Sequence, residues 1–172
     1  MADVERSLAA LQALFADNTA GDISEQDLRD FLVSCFGGYG GLYIDPAAAS
    51  QGINIALAKL IGWTGAMSAS GTTPSIASND ITVANAAKYL VEFTGSLTAP
   101  AGQTITFQVA KNAAALTGGK HTVSGGSPLA TPRISCVVDC AASDVLSILI
   151  GSGSNGQTIT MSTAQFTVKR IG

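Results

Sequence analysis

Few residues of this 172-residue chain have the type and spacing that catalysis requires. The sequence contains one histidine, His121, and no GxSxG motif, so nucleophilic catalysis by a Ser-His-Asp triad is not supported. Cys136, Cys140 and His121 supply three zinc ligands where a structural site needs about four. The four acids after residue 45 are far apart in the sequence, so no spacing indicates the paired carboxylates of a glycoside hydrolase. We predict no catalytic residue, no metal site and no cofactor.

Two short motifs resemble ligand-binding loops but have the wrong context. Residues 151–156 match the GxGxxG pattern of dinucleotide sites, yet a strand-like segment follows where that fingerprint needs a helix. Residues 17–28 begin like a calcium loop, but Asp22 replaces the glycine and Leu28 the bidentate glutamate. The first motif therefore predicts a hairpin loop, and the second predicts no metal site.

The three cysteines form an odd set. Cys136 and Cys140 are four residues apart in an apparent strand, which separates them by about 13 Å and prevents a disulfide without a bend. We predict buried free thiols in a chain assembled in a reducing compartment. Pairing of Cys35 between subunits stays open.

Composition excludes several classes of protein. Only 12% of the residues are charged while 47% are hydrophobic, so some apolar surface is expected to be covered by another chain. Residues 1–45 have eight acids and two bases, a net −6, whereas residues 46–172 have four acids and seven scattered bases, a net +3. This distribution argues against nucleic acid. No apolar run is long enough for a membrane span, and the start of the chain lacks the features of a signal peptide.

Helical periodicity is confined to the acidic segment, residues 1–45. One apolar stripe predicts a helix over residues 2–16, and a second follows Ser24 as N-cap with Asp27 in a capping box and ends at Gly37. We predict a helical hairpin or arm, joined by the glycine-rich linker FGGYGG. Two interpretations stay open: the stripes pack within the chain, or they contact a partner. The stripe residues are Val4, Leu8, Leu11, Phe15, Leu28, Phe31, Leu32 and Phe36.

From Gly40 onward the hydrophobic period becomes two, which is typical of half-buried strands. Residues 53–63 read as one strand, turn signals fall at Gly71 and at Gly118, and a parity change predicts a β-bulge between Ser162 and Gln165. With about eight strands and no crossover helix, residues 46–172 are predicted to form an antiparallel jelly roll or β-sandwich, which makes the chain mainly β.

Several segments resemble structural proteins of tailed bacteriophages. ISEQDLRD at residues 23–30, before GGYGG, resembles a segment that precedes β-domains in those virion proteins. The later segments resemble the tumour necrosis factor-like jelly roll that such proteins use, and they are KLIGWT (59–64), KYLVEF (88–93), TITFQVAKN (104–112), SDVLS (143–147) and FTVKRIG (166–172). The match depends on the order in which these segments occur. It has one departure, because Ala86 and Ala87 stand where the family usually has a small residue and a glycine before the tyrosine.

The resemblance implies a homotrimer in the virion, assembled in the host bacterial cytoplasm, with one sheet of each jelly roll facing a threefold axis. Tyr89, Phe107 and Phe166 are the candidate trimer-interface residues. The short segment before the jelly roll favours a capsid decoration (cement) protein that contacts the major capsid protein through the helical stripes. The alternative is a tail-fibre or head-fibre knob, attached to a tail or baseplate protein, whose loops at residues 117–128 or 151–156 bind a host receptor or glycan.

Overall fold

The computed structural model describes residues 24–45, 49–126 and 129–171, with side chains of residues 33–36 and 49 left out. These residues form one helix and twelve strands. In chain order they are α1 (Glu25–Phe36), β1 (Tyr39–Ile44), β2 (Ala49–Ile53), β3 (Ala58–Lys59), β4 (Gly65–Ala66), β5 (Thr72–Ser75), β6 (Asp80–Val83), β7 (Ala87–Thr98), β8 (Thr104–Lys111), β9 (Ala114–Ser124), β10 (Arg133–Cys140), β11 (Val145–Ser152) and β12 (Gln157–Arg170).

The strands form two antiparallel sheets of six strands each. The front sheet has the order β10-β7-β12-β1-β4, with β2 also paired to β12. The back sheet has the order β5-β6-β11-β8-β9, with β3 also paired to β11. The two sheets pack as a jelly roll, so the predicted fold class is confirmed.

Aromatic rings from both sheets meet in the core between them. Phe93 on β7 stacks on Phe107 on β8, with ring centroids 5.3 Å apart. Trp63 packs against Phe93 and Phe166 at centroid distances of 6.5 and 6.1 Å. Apolar side chains of alternating parity from the long strands fill the remaining space. Burial of this apolar area is the main favourable contribution to folding.

The described helix begins and ends where the sequence predicts. Asp27 N–H donates to Ser24 Oγ at 3.1 Å, and Ser24 N–H donates to Asp27 Oδ2 at 3.1 Å, which is the predicted capping box. The helix ends at Phe36, and Gly38 follows with φ of 84°. A Cβ at Gly38 would lie 2.6 Å from Cβ of Arg170, so glycine is required there by both the backbone and the packing. The predicted helix over residues 2–16 lies outside the described residues.

The expected glycine-rich linker is part of the front sheet. β1 begins at Tyr39 and pairs with β12 along its whole length, from Tyr39 opposite Lys169 to Ile44 opposite Ala164. The β-structure therefore begins at residue 39 rather than 46. Small residues suit this strand because a Cβ at Gly41 would lie 2.8 Å from Sδ of Met67 and 2.9 Å from the carbonyl oxygen of Phe166.

The apolar run at residues 53–63 is not one strand, and that prediction is wrong. Ile53 is buried at the end of β2, beside β12 of the front sheet. The chain then crosses to the back sheet, where Lys59 in β3 pairs with Leu149 of β11. Ile55 and Leu57 on the crossing segment are exposed. Periodicity cannot distinguish a strand from an extended crossing, since both have alternating side chains.

The turn signals at Gly71 and Gly118 have different outcomes: Gly71 is a bend with φ of 60°, but a strand begins at the next residue, and Gly118 lies inside a strand. Residues 72–75 form β5, an edge strand that accommodates Pro74. Gly118 lies within β9, where the next residue, Gly119, lets the strand approach Val109, because a Cβ there would lie 2.9 Å from Cβ of Val109. In both segments the strand sits at a sheet edge, where glycine and proline are tolerated.

The predicted β-bulge in the last strand is present. The pairing of β12 with β7 shifts register between Met161 and Thr163, which leaves Ser162 as the extra residue. The bulge keeps Met161 and Ala164 both in the core. As a result, Thr163 and Gln165 face outward from the front sheet.

Candidate functional site

The outer face of the front sheet has an apolar end. Strand register places Tyr39, Lys169, Leu90 and Val137 side by side across four strands. Tyr39 and Val137 are 43% and 56% exposed, and Ile171, which hydrogen-bonds through its N–H to Lys88, is 52% exposed. We call Tyr39, Leu90, Val137 and Ile171 the apolar row; the exposed Lys169 interrupts it between Tyr39 and Leu90. Exposed apolar side chains grouped on one sheet face are typical of a surface that another chain covers.

The other end of the same face is a polar groove of about 640 Å³. Register places Tyr43, Gln165, Thr94 and Arg133 side by side across β1, β12, β7 and β10. We call these four residues the groove row. The remaining lining residues are Ile44, Asp45, Met67, Gly95, Thr131, Thr163 and Ala164.

The groove row is held by the strands beneath it. Tyr43 lies against β4 so closely that a Cβ at Gly65 would overlap its ring. The backbone of Arg133 is held by His121, whose Nδ1 lies 2.9 Å from the Arg133 nitrogen and 2.6 Å from its carbonyl oxygen. The Arg133 guanidinium and the Asp45 carboxylate form no ion pair with any part of the chain that the structure describes.

Three aromatic residues expected at a trimer interface are core residues instead. Tyr89, Phe107 and Phe166 are each 0% exposed within the single chain. The Tyr89 hydroxyl donates to the carbonyl oxygen of Asn85 at 3.0 Å, which satisfies its polar end. These side chains have no surface to offer a second chain while the fold holds, so the assignment to an interface is wrong. The positions of these three residues in their strands correctly indicated that they are buried, but not that the chain's own second sheet, rather than another chain, buries them.

The residues expected to contact a partner are described only in part. Val4, Leu8, Leu11 and Phe15 lie outside the described residues, and Phe36 lies in α1 with its side chain undescribed. Leu28, Phe31 and Leu32 are 55%, 36% and 49% exposed. The three share one side of the helix through their i, i+3 and i+4 spacing. Asp30, next to them in sequence, is buried and accepts a hydrogen bond from Gln26 at 2.7 Å.

The groups weighed for chemistry are not assembled into a catalytic arrangement. Among the described residues, no three His, Cys, Asp or Glu side chains lie together as a metal site would require. Cys136 and Cys140 are free thiols. Burial raises the pKa of Cys140 to about 11, and burial also raises the pKa of Cys136. His121 lies in β9 rather than in the loop expected for it. Within the same residues no helix has the length and apolar character of a membrane span.

The two segments proposed as glycan-binding loops are used by the fold itself. Residues 117–124 belong to β9. The turn within residues 151–156 is the predicted hairpin loop, and it joins β11 to β12. There Asn155 Oδ1 accepts the Ile55 N–H at 3.0 Å and Asn54 Oδ1 accepts the Gly156 N–H at 2.9 Å. These amides are therefore occupied in attaching the hairpin to the crossing segment.

Sequence reasoning missed both the apolar row and the groove row. A signal for the first was present, because Leu90 and Val137 have the parity opposite to the buried residues of their strands. An apolar residue on the outward parity of a strand indicates a covered outer face. The groove row had no comparable signal, because its four members come together only through the pairing of four strands.

Comparisons with known proteins show the fold. No family model matches the chain, and no curated protein matches it. Among solved structures, Eiger TNF from S. frugiperda is 12% identical with a TM-score of 0.57 over 80% of this chain and 93% of that one. The vertex protein P5 of PRD1 is 16% identical with a TM-score of 0.56 over 80% and 99%. The globular domain of zebrafish complement 1qA is 11% identical with a TM-score of 0.57 over 78% and 97%. The chain therefore has a TNF-like jelly-roll fold.

Proposed function

We propose that this chain is a non-enzymatic structural protein that assembles as a homotrimer and decorates the head of a tailed bacteriophage. The observation that carries the trimer is the apolar row on the outer face of the front sheet. Three copies that bring this face to a common axis would cover Tyr39, Val137 and Ile171, whose exposure in one chain is otherwise unexplained. The similarity to TNF-like jelly rolls supports this arrangement.

The oligomer test replaces one member of the apolar row. Val137→Glu places a carboxylate at an exposed strand position, where it should not disturb the single chain but should repel a covering apolar surface. Light scattering after gel filtration should give three times the 17.3 kDa chain mass for the wild type and one chain mass for the variant. Ile76→Glu is the matched control, since Ile76 is 42% exposed in the turn between β5 and β6 of the back sheet. A monomeric wild type would contradict the trimer.

The role in the virion rests on the segmental resemblance to tailed-phage structural proteins and on the similarity to the PRD1 vertex protein. As a decoration protein the trimer would bind the major capsid protein through the exposed side of α1, where Leu28 and Leu32 are unburied. Neither nucleic acid nor membrane is an expected partner. Virions assembled without the protein in the host cytoplasm should lose infectivity faster on heating or chelation, and unchanged resistance would contradict the proposal.

A trimeric fibre knob that binds a host receptor or glycan is the second candidate, and the similarity to the vertex protein of PRD1 is the observation that favours it. A knob would project from the tail or from a head fibre toward a host surface. Electron microscopy of virions labelled through a tag on the protein separates the two roles. Label over the whole head supports decoration, whereas label at the tail or on a fibre supports the knob.

A further inference from the structure

The hairpin between β11 and β12 contains an Asn-Gly pair, in which the asparagine side chain is open to attack by the next backbone nitrogen. Asn155 is the only asparagine in the sequence that precedes a glycine. Glycine has no Cβ to obstruct its own nitrogen, and at Gly156 no atom beyond the chain neighbours lies within 4 Å of where a Cβ would be. Both residues are exposed, so water and hydroxide reach them.

Three hydrogen bonds join this hairpin to the crossing segment, residues 54–57, and two of them hold the groups that would react. The Ser152 N–H donates to the carbonyl oxygen of Asn54 at 2.8 Å. The Ile55 N–H donates to Asn155 Oδ1 at 3.0 Å, and the Gly156 N–H donates to Asn54 Oδ1 at 2.9 Å. We call these three bonds the hairpin clamp. It fixes the carboxamide and engages the proton that the attacking nitrogen must lose.

We propose that Asn155 is a site of spontaneous deamidation and that the hairpin clamp sets its rate. Hydroxide removes the proton of the Gly156 N–H, and the nitrogen attacks Cγ of Asn155. The Cγ–Nδ2 bond breaks, ammonia leaves with a proton taken from water, and a succinimide ring forms. Water then opens the ring. Rupture of the bond from the Gly156 nitrogen to Cγ gives aspartate, and rupture of its bond to the main-chain carbonyl carbon gives isoaspartate. The net reaction consumes one water and releases one ammonia.

Attack requires the clamp to open at both reacting groups. The Asn155 carboxamide must turn away from the Ile55 N–H to bring Cγ onto the Gly156 nitrogen, and the proton on that nitrogen must leave Asn54 Oδ1. The reactive state is therefore a local opening of the hairpin. Loss of the bond to Asn54 should raise the rate about fivefold, which corresponds to the net contribution of about 1 kcal/mol from one hydrogen bond.

The two products should have different effects on the hairpin. In aspartate, a carboxylate oxygen takes the place of Oδ1 and accepts the Ile55 N–H in a charge-assisted hydrogen bond. In isoaspartate, the backbone runs through Cβ, which adds one methylene between Ser154 and Gly156 and moves the carboxylate. The Ile55 N–H then loses its acceptor. Isoaspartate should therefore detach the hairpin from the crossing segment, whereas aspartate should not.

The site lies outside the face that the proposed trimer covers. Asn155 precedes Gln157, the first residue of β12, whereas Lys169, within the apolar row, is near the other end of that strand. Residues 157–169 span about 40 Å at about 3.3 Å per residue. The Val137→Glu variant should therefore deamidate at the same rate as the wild type. Failure of trimer formation and failure of the deamidation proposal are in this way separate results.

The first experiment incubates the full-length protein at mildly alkaline pH, with and without guanidinium chloride, and maps its peptides by mass spectrometry over time. Asn155 should show the mass gain that accompanies replacement of NH2 by OH, and the gain should appear faster in the denaturant, where the clamp is open. Asn79 and Asn112, which precede Asp80 and Ala113, should remain unchanged over the same period. Conversion of either before Asn155, no conversion in the denaturant, or equal rates in both conditions would overturn the proposal.

The second experiment removes one bond of the clamp. Asn54→Ala deletes the acceptor of the Gly156 N–H but keeps the main-chain bond to Ser152. The folded variant should deamidate at Asn155 about fivefold faster than the wild type, and the two rates should be equal in guanidinium chloride. Asn85→Ala, between β6 and β7, is the matched control and should leave the rate unchanged. Equal rates for the folded wild type and Asn54→Ala would overturn the proposal.

Hydrogen exchange in the wild type tests the same point without a variant, so the proposal stays falsifiable if Asn54→Ala does not fold. Guanidinium chloride below the unfolding midpoint should raise the exchange rate of the Gly156 amide and the deamidation rate of Asn155 by the same factor, because both require the clamp to open. An exchange rate that rises while the deamidation rate stays constant would overturn the proposal.

Discussion

The turn between β8 and β9 holds both of its residues in the left-handed region. Asn112 and Ala113 have φ of 50° and 66°, the conformation of a two-residue type I′ turn. Asparagine tolerates this conformation, but the Cβ of alanine costs about 1 kcal/mol there. Ala113→Gly should therefore raise the free energy of unfolding by about 1 kcal/mol, measured by urea denaturation. Ala115→Gly in β9 is the control and should lower it by about 0.5–1 kcal/mol, while a destabilising Ala113→Gly would contradict the reasoning.

Asp144 links the same turn to the start of β11. The Asn112 side chain donates to its carboxylate at 2.7 Å and the Ala141 N–H donates to it at 2.8 Å, and these two hydrogen bonds lower the pKa of Asp144. A carboxyl group whose pKa is lower in the folded chain stabilises the fold above its unfolded pKa of about 3.9, and this contribution disappears as the pH falls through the folded value. Stability should therefore decrease on acidification below about pH 4.

The pH effect is tested by removing the charge. Asp144→Asn should reduce the dependence of the urea midpoint on pH in the acid range, because the variant has no carboxyl group to protonate. Asn112→Gly keeps the left-handed backbone but removes the strongest hydrogen bond, so it should reduce the dependence in the same direction. An Asp144→Asn variant with the wild-type pH dependence would contradict the assignment.

The crossing segment between the two sheets is fixed by an ion pair. Lys59 in β3 donates to Asp80 Oδ2 at 2.8 Å and to the carbonyl oxygen of Ser78 at 3.0 Å, while Asp80 is only 8% exposed. Lys59→Met would leave this carboxylate with the Ser78 hydroxyl at 2.6 Å as its side-chain partner. We expect the free energy of unfolding to fall by about 2 kcal/mol in chemical denaturation.

Two further variants separate the ion pair from the general loss of a lysine. Lys120→Met on β9 removes an exposed charge and should change stability by less than about 0.5 kcal/mol. Asp80→Asn combined with Lys59→Met should recover part of the loss, because the buried charge is then absent. An equal loss in Lys59→Met and Lys120→Met would show that the ion pair contributes nothing.

Element prediction succeeded where one local signal decides the structure. The capping box at Ser24, the strand that contains Cys136 and Cys140, and the bulge at Ser162 all follow from nearby residues. It failed where a distant strand decides. Gly118 is part of β9 because the residues on both sides of it pair with β8, although residues 116–119 themselves lie at the register shift. Ile55 and Leu57 form a crossing because the chain goes on to pair with β11 through β3. Neither outcome is contained in the local pattern.

At the scale of the whole molecule, the low charge content predicted hidden surface but not its position. From the sequence, Tyr89, Phe107 and Phe166 are the candidates for that surface, because large aromatic residues dominate both cores and interfaces. The fold uses all three in its own core and leaves smaller apolar residues, such as Leu90 and Val137, on the outer face. Strand parity predicts that a side chain is buried, but it cannot distinguish burial in the core from burial at an interface. That distinction depends on which side of the sheet faces the second sheet.

The acidic helical segment should be dispensable for folding but required for attachment. Three side-chain hydrogen bonds, those joining Ser24 to Asp27, Gln26 to Asp30 and Arg29 to Gln26, lie within the helical segment. Gly38 attaches the chain to the sheets, because its N–H donates to the carbonyl oxygen of Ser70 at 2.8 Å and its carbonyl accepts from the Arg170 N–H at 2.6 Å. A chain that begins at Gly37 keeps all of β1. It should retain the strand signal in circular dichroism and unfold cooperatively, yet fail to bind purified capsids that lack the protein.

The two interpretations of the apolar stripes give opposite results in this deletion. If Leu28 and Leu32 contact the capsid, replacing both with serine in the full chain should abolish attachment while leaving the unfolding midpoint unchanged, since both side chains are about half exposed. If the stripes pack within the chain, the deletion should instead lower the midpoint or prevent folding. Attachment that survives both the deletion and the double substitution would place the capsid contact on the jelly roll, because no other described element would remain to make it.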